Sequence, residues 1–381
     1  MTPEDELCLL LARGQITLPA SGRIQELLTT PLQWPLVLES ARSQQVFPLL
    51  YRNLCLGGFS GVPEAVQSEL KGAYLANALR NQFMAEEFAR LLSLLDRAGI
   101  RAIPLKGVAL AQSLFGDVGA RVCTDIDILV PAEQAVQARR IVIANGYSSQ
   151  FTEKFFARHQ LRAAECTLLR ETEVLSYFVE LHWTLLHSSS KNSQAMDNLW
   201  SEARPLDFFG SMAYGLTPEW QFLYLSFHAA YHKWSSLKWL ADIDQLCLSA
   251  PVDWDRVEEK AVSFDLDTFA GPTLAACSML FGTPIPAQIP GQSLPPGIRL
   301  FPSSSDSWRI KLFYPHLLKR RSDKVRWFAE TLFVPSLADH KFVNLPGSLN
   351  LLYYVLRPLR LTCKWAGWFV GAGIARLAGK K

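Results

Sequence analysis

The segment Thr124-Asp125-Ile126-Asp127-Ile128-Leu129-Val130-Pro131 constrains this chain more than any other. Its apolar residues and closing proline read as a short strand. Alternate side chains of a strand share a face, so Asp125 and Asp127 point one way and Ile126 and Ile128 the other. The apolar face needs a core. The acidic face needs a cation, because two close carboxylates resist joint ionisation. Hard divalent ions such as Mg²⁺ favour carboxylate oxygens and leave positions open for substrate phosphates. Asp-x-Asp alone also occurs on solvated strand ends, so its neighbours decide how it is read.

Upstream stands Leu105-Lys106-Gly107, followed by an apolar helical run that ends at Gly116. A glycine opening a helix lets phosphate oxygens approach bare N–H groups, where the helix N-terminus favours negative charge. Lys106 adds a positive charge beside it. Downstream, Phe178-Val179-Glu180-Leu181-His182-Trp183 reads as another strand. Glu180 in that apolar run requires a partner or a metal, and His182 shares its face. The plainer alternative is a solvent-side strand-edge residue paired with an arginine.

The surrounding pattern predicts an α+β fold. Residues 1–99 read as helical, ending at Gly99. Residues 100–190 read in the order β-α-β-α-β-β, a small mixed sheet, with paired strands over 164–171 and 173–186. Residues 191–281 return to helix, with Thr217 as an N-cap before Pro218. Residues 282–306 are a Pro/Gly/Ser-rich loop. Residues 307–381 are helical and basic, with fourteen Lys and Arg against three Asp and Glu, a local net of +11 in a chain of net +3. Such a surface suits nucleic acid, anionic lipid or a phosphorylated substrate, or is simply solvated. The apolar run Trp365–Ala375 is too short and glycine-rich to span a bilayer, so the expected membrane contact is at most peripheral. Seven cysteines, odd in number and without a Cys-x-x-Cys pair, argue against a disulfide framework. The acidic start lacks the features of a signal peptide. The expected location is cytoplasmic, with the inner membrane face as the site of any peripheral contact.

Taken together, Leu105-Lys106-Gly107, Arg121 with Thr124–Val130, Glu180-Leu181-His182-Trp183, and the helical block from His228 to Leu246 resemble the nucleotidyltransferase (polymerase-β-like) superfamily. The likeness is greatest to the bacterial group of uncharacterised nucleotidyltransferases and runs from about residue 35 to 260. It implies a nucleotidyltransferase core between helical N- and C-terminal parts. It implies an enzyme that moves a nucleoside monophosphate from an NTP such as ATP to an acceptor hydroxyl, releasing pyrophosphate. Asp125, Asp127 and Glu180 would be its catalytic metal ligands, holding two Mg²⁺ ions, with Mn²⁺ able to substitute. Lys106, Gly107, Arg121, Thr124, His182, His232 and Lys233 are the expected nucleotide contacts. The acceptor is open among small molecules, glycans, proteins and RNA. Two positions depart from the pattern: Val108 stands where a serine usually follows the glycine, and Val122 where a proline usually follows the arginine.

Other motifs are weaker. His228 and His232 have the i, i+4 spacing of a zinc helix but lack a fixed third ligand and the glutamate of a metalloprotease. They read better as a helix face lining the cleft. Asp242 and Asp244 mimic the aspartate pair but diverge on a helix. Neither Gly-x-Ser-x-Gly nor a P-loop is present. The rival readings are a protein that keeps the fold without chemistry, and a toxin-type transferase acting on tRNA or protein.

Overall fold

In the computed structural model, residues 1–149, 164–185, 192–289, 318–335 and 347–363 are described, with a few isolated positions between them. The run Trp365–Ala375 and most of the Pro/Gly/Ser-rich segment lie outside the described residues. Among the described residues, no helix is long and apolar enough to cross a membrane.

Four short helices open the chain: α1 (Pro3–Leu11), α2 (Leu18–Leu28), α3 (Trp34–Ser43) and α4 (Phe47–Leu56). Each has a proline in its first turn, where the missing N–H costs nothing. The 34-residue helix α5 (Glu64–Arg97) follows. It stops at Gly99, whose φ of +69° lets Ile100 N donate back to Leu95 O. Val66 and Leu70, near its start, belong to one hydrophobic core, which they share with the N-terminal helices. Met84, Phe88, Leu91, Leu92 and Leu95 belong to a second core, under the sheet. The helix therefore ties the two cores together.

The sheet is built from β1 (Ile103–Pro104), β2 (Ile126–Leu129), β3 (Ser148–Ser149), β4 (Glu165–Glu171) and β5 (Ser176–His182). Helix α6 (Val108–Phe115) joins β1 to β2, and α7 (Ala135–Ala144) joins β2 to β3. The spatial order is β1-β2-β5-β4-β3, with β2 and β5 parallel and the other pairs antiparallel. This is the small mixed sheet of the expected α+β fold. Ile126, Ile128, Val179, Leu181, Cys166 and Leu168 all enter the core shared with α5. That burial turns the alternate residues, Asp127, Glu180 and His182, to the opposite face.

Residues 191–281 depart from an all-helical segment. After α8 (Asn192–Glu202) the chain forms a hairpin, β6 (Arg204–Phe208) and β7 (Ser211–Gly215). Phe209 and Gly210 form its two-residue turn, with φ of 50° and 78°. The strands are short and largely exposed on one side, which leaves little periodic signal. Ser211 Oγ donates to Ala89 O at 2.9 Å and Tyr214 N to Ala102 O at 2.8 Å, docking the hairpin on α5 and the approach to β1.

Helices α9 (Pro218–Tyr231), α10 (Leu237–Ser249), α11 (Trp254–Ser263) and α12 (Asp267–Phe281) follow, and α13 (Arg321–Phe333) comes later in the chain. The Thr217 hydroxyl accepts from Trp220 N, as its N-cap position predicts. Phe222, Leu240 and Leu274 share one buried cluster with Leu7 and Leu50, so α9, α10 and α12 and the N-terminal helices have a continuous core.

Candidate functional site

Parallel pairing of β2 with β5 puts Asp127 directly beside Glu180. Asp127 is fully buried, while Glu180 is about 29% exposed. Asp125 precedes the first residue of β2, so the aspartates are not both within the regular strand. The Lys106 ammonium nevertheless gathers all three carboxylates. Its Nζ lies 2.8 Å from Asp127 Oδ1, 3.1 Å from Asp125 Oδ2 and 3.9 Å from Glu180 Oε2. His182 enters from β5, with Nε2 3.1 Å from Asp127 Oδ1 and Nδ1 3.0 Å from Glu165 Oε2. Lys106, an expected nucleotide contact, reaches from the end of β1 into the carboxylates.

Burial and charge pull these groups in opposite directions. Burial pushes the Asp127 carboxyl up, but Lys106 and His182 outweigh it and hold it well below the ordinary range. Burial and then the charge of Asp127 push Glu180 up to about 8, and Lys106 offsets this only in part. Burial would neutralise His182, yet its hydrogen bonds to Asp127 and Glu165 raise it to about 10. The cluster thus favours the charged forms of Lys106, His182 and Asp127 and draws Glu180 toward its protonated form.

The donor set fits a divalent cation. Asp127, Glu180 and His182 each offer a ligand atom, all within 4.8 Å of one another. Asp127 Oδ2 is buried without a hydrogen-bond partner, which leaves a lone pair free for a metal. Binding would have to displace protons from Glu180 and, if it ligates, from His182.

Gly107 lies against this cluster. Its φ of 72° and ψ of −130° cap the N-terminus of α6, and a Cβ there would sit 3.3 Å from Asp125 O. Both the conformation and the close approach require glycine. We expect Gly107→Ala to destabilise the protein by about 1 kcal/mol or more. Thermal unfolding checks this: an unchanged Tm would mean that the loop adopts another conformation in solution.

Arg121 has a different place from the nucleotide contact expected of it. It is 5% exposed, and its Nε lies 3.0 Å from both oxygens of Asp242, with Nη2 2.9 Å from Oδ2. It braces the segment before β2 against α10. The same segment is gripped by residues that the sequence reading missed. Asn77 Nδ2 donates to Gly119 O and Arg121 O, and Asn81 Nδ2 to Val118 O and Arg121 O, at 2.6–3.1 Å. Arg80 donates to Cys123 O, and Lys238 Nζ to Val122 O at 3.3 Å. The available signal was two asparagines at i and i+4 in a long helix, a spacing that aims both at one neighbour. Asp244, in turn, points away to Arg13 and Thr283, the divergence from Asp242 expected on a helix.

Thr124 is exposed, and its hydroxyl donates to Asp125 Oδ1 at 3.0 Å. His232 closes α9, its ring centroid 4.8 Å from those of both His228 and Trp239. Burial and then the charge of Lys106 lower His232 to about 4 and hold His228 well below its ordinary value, so both are neutral. Among the described residues, the pair shares no metal-binding group with a third ligand. Lys233 and Trp234 follow with φ of 58° and 52°, an unfavourable conformation for such side chains. Trp234 anchors this turn through its Nε1–H, which donates to Thr273 Oγ1 at 2.8 Å.

A separate cavity of about 570 Å³ lies beyond the C-terminal ends of β2 and β5, lined in part by Arg101, Trp183, Met196 and Trp200. None of the clustered carboxylates lines it.

The sequence model of a family described as "Uncharacterised nucleotidyltransferase" matches residues 30–282. No curated protein matches the chain. Among solved structures, an antigenic nucleotidyltransferase-like protein from Paracoccidioides brasiliensis is similar over 52% of this chain and 96% of that chain. That match has 15% identity and a TM-score of 0.33, too loose an overlap to extend the description of the fold.

Proposed function

The chain belongs to this nucleotidyltransferase family, and on that premise we propose that it moves a nucleoside monophosphate from an NTP to an acceptor hydroxyl. The observation that carries the reading is the register of Asp127 beside Glu180, with Asp125 and the Gly107 turn packed against them. Asp127 and Glu180, with Asp125 or His182, are the residues that would hold a divalent cation such as Mg²⁺. When bound, such an ion would act as a Lewis acid toward the phosphoryl oxygens and stabilise the charge that develops there.

The chain's own residues supply the rest. Backbone N–H groups at the start of α6 bind the triphosphate at the helix N-terminus, which Gly107 leaves accessible. The acceptor oxygen forms a bond to the α-phosphorus as the α–β bridging bond breaks and pyrophosphate leaves. Glu180, once ionised, takes the acceptor proton. Metal binding would remove the proton that burial and Asp127 favour on Glu180 in the metal-free site, leaving a carboxylate able to accept one. His228 and His232 are held neutral, and both lie close enough to Lys106 to feel its charge.

The test is incubation with each labelled NTP, Mg²⁺ and cell extract, asking which molecule acquires label and whether chelation stops it. Glu180→Gln should keep NTP binding while turnover falls by roughly 10²–10⁴-fold. Undiminished turnover would place the proton acceptor elsewhere. One observation favours a second reading, a protein that keeps the fold without chemistry: Lys106 already fills the space between the carboxylates. Absence of both label transfer and metal binding would favour it.

A further inference from the structure

We infer that Lys106 is a built-in cation that takes the place of one of two divalent ions, so that the site holds a single divalent ion per chain. This deepens the proposed function and rests on it.

The geometry carries the inference. An ammonium at 2.8 and 3.1 Å from Asp127 Oδ1 and Asp125 Oδ2 occupies the point where an ion bridging these aspartates would sit. Both cannot be there at once. The ammonium is also poorly placed to leave. Its side chain is only 9% exposed, and its backbone is held on one side by Leu105 N, which donates to Asp127 O at 3.1 Å. On the other side, Gly107 runs close to Asp125 O, which a Cβ there would meet at 3.3 Å. In the metal-free chain, moving Lys106 away would leave the buried Asp127 with only His182 as a cationic partner, a costly arrangement.

The remaining lone pairs mark where one ion fits. Asp127 Oδ1 is used by Lys106 and His182, but Oδ2 is buried and unused. Glu180 stands beside Asp127 in the parallel pair, 3.9 Å from Lys106, too far for a close hydrogen bond. Charge gives the same answer. With the His182 imidazolium set against Glu165, one divalent ion and one ammonium balance the three carboxylates of Asp125, Asp127 and Glu180. A second divalent ion in the same pocket would face an uncompensated excess of positive charge at short range.

The test is a count of Mn²⁺ bound to the full chain without nucleotide, by titration calorimetry and by paramagnetic resonance of the free ion. The unaltered chain should bind one ion. Lys106→Met, of similar length without the charge, should bind a second, or bind the first at least about tenfold more tightly. Lys106→Arg keeps a positive charge and should still bind one. Two ions on the unaltered chain would overturn the inference, and that count needs no variant to fold. An unchanged count and affinity in a folded Lys106→Met would overturn it too. If neither the unaltered chain nor Lys106→Met binds any metal, the metal-centre reading itself fails, a result distinct from both.

Discussion

Asp127→Asn should abolish metal-dependent NTP turnover, by roughly 10³-fold or more, while the protein still folds. The change keeps the shape of the side chain but removes the charge that Lys106 and His182 both face. It also removes the unused buried oxygen, the best-placed metal ligand in the cluster. Mn²⁺ titration of the variant should show no binding at this site. A variant that binds Mn²⁺ and NTP as tightly as the parent would place the metal centre elsewhere.

The same substitution has a signature in stability against pH. His182 is raised in the folded state to about 10 from an ordinary 6.5. A raised group contributes stability that is fully present below its unfolded value and lost as pH climbs through its folded one. Glu180, raised to about 8 from 4.5, acts in the same direction over a lower window. The metal-free protein should therefore lose thermal stability as pH rises from about 5 to 10. Asp127→Asn should flatten the upper part of that decline, because His182 loses its charged partner there.

Arg121→Ala should be the most damaging change to the fold. The Arg121–Asp242 pair is buried, and removing one member leaves a buried carboxylate uncompensated, at a cost of about 3–5 kcal/mol. For a chain of this size, a fall in Tm on the order of 10 °C is expected. Replacing both partners with apolar residues, Arg121→Met with Asp242→Leu, should recover much of the loss. The pair of measurements separates two roles. A brace lowers Tm first, and activity follows because the segment before Asp125 loosens. A nucleotide contact would weaken NTP binding with Tm nearly unchanged.

Much of the site was legible because each part has a local signature. Asp125, Asp127 and Glu180 stood out as charges in apolar strands, Gly107 as a break between strand and helix. The roles of Lys106 and Arg121 were not legible. Both are cations in a family motif, and a sequence offers a phosphate as readily as a carboxylate for either. The Arg121 partner lies 121 residues away on a helix, where Asp242 looked like half of a second aspartate pair. Asn77 and Asn81 were hidden inside a long helical pattern, since nothing local says that a buried asparagine is gripping a loop. The hairpin at 204–215 escaped because its strands are short and its outward face is exposed.

The sequence by itself determined which residues alternate to the acidic face of the strands, where the glycine turn before α6 lies, and the mixed α+β character. Periodicity and backbone freedom are properties of a few neighbouring residues, so a linear string contains them. The tertiary structure alone decided that Glu180 pairs with Asp127, that Lys106 stands among three carboxylates, and that Arg121 is spent on Asp242. Those outcomes depend on strand register across long separations and on removing charges from water. Both come into being only when the chain is packed.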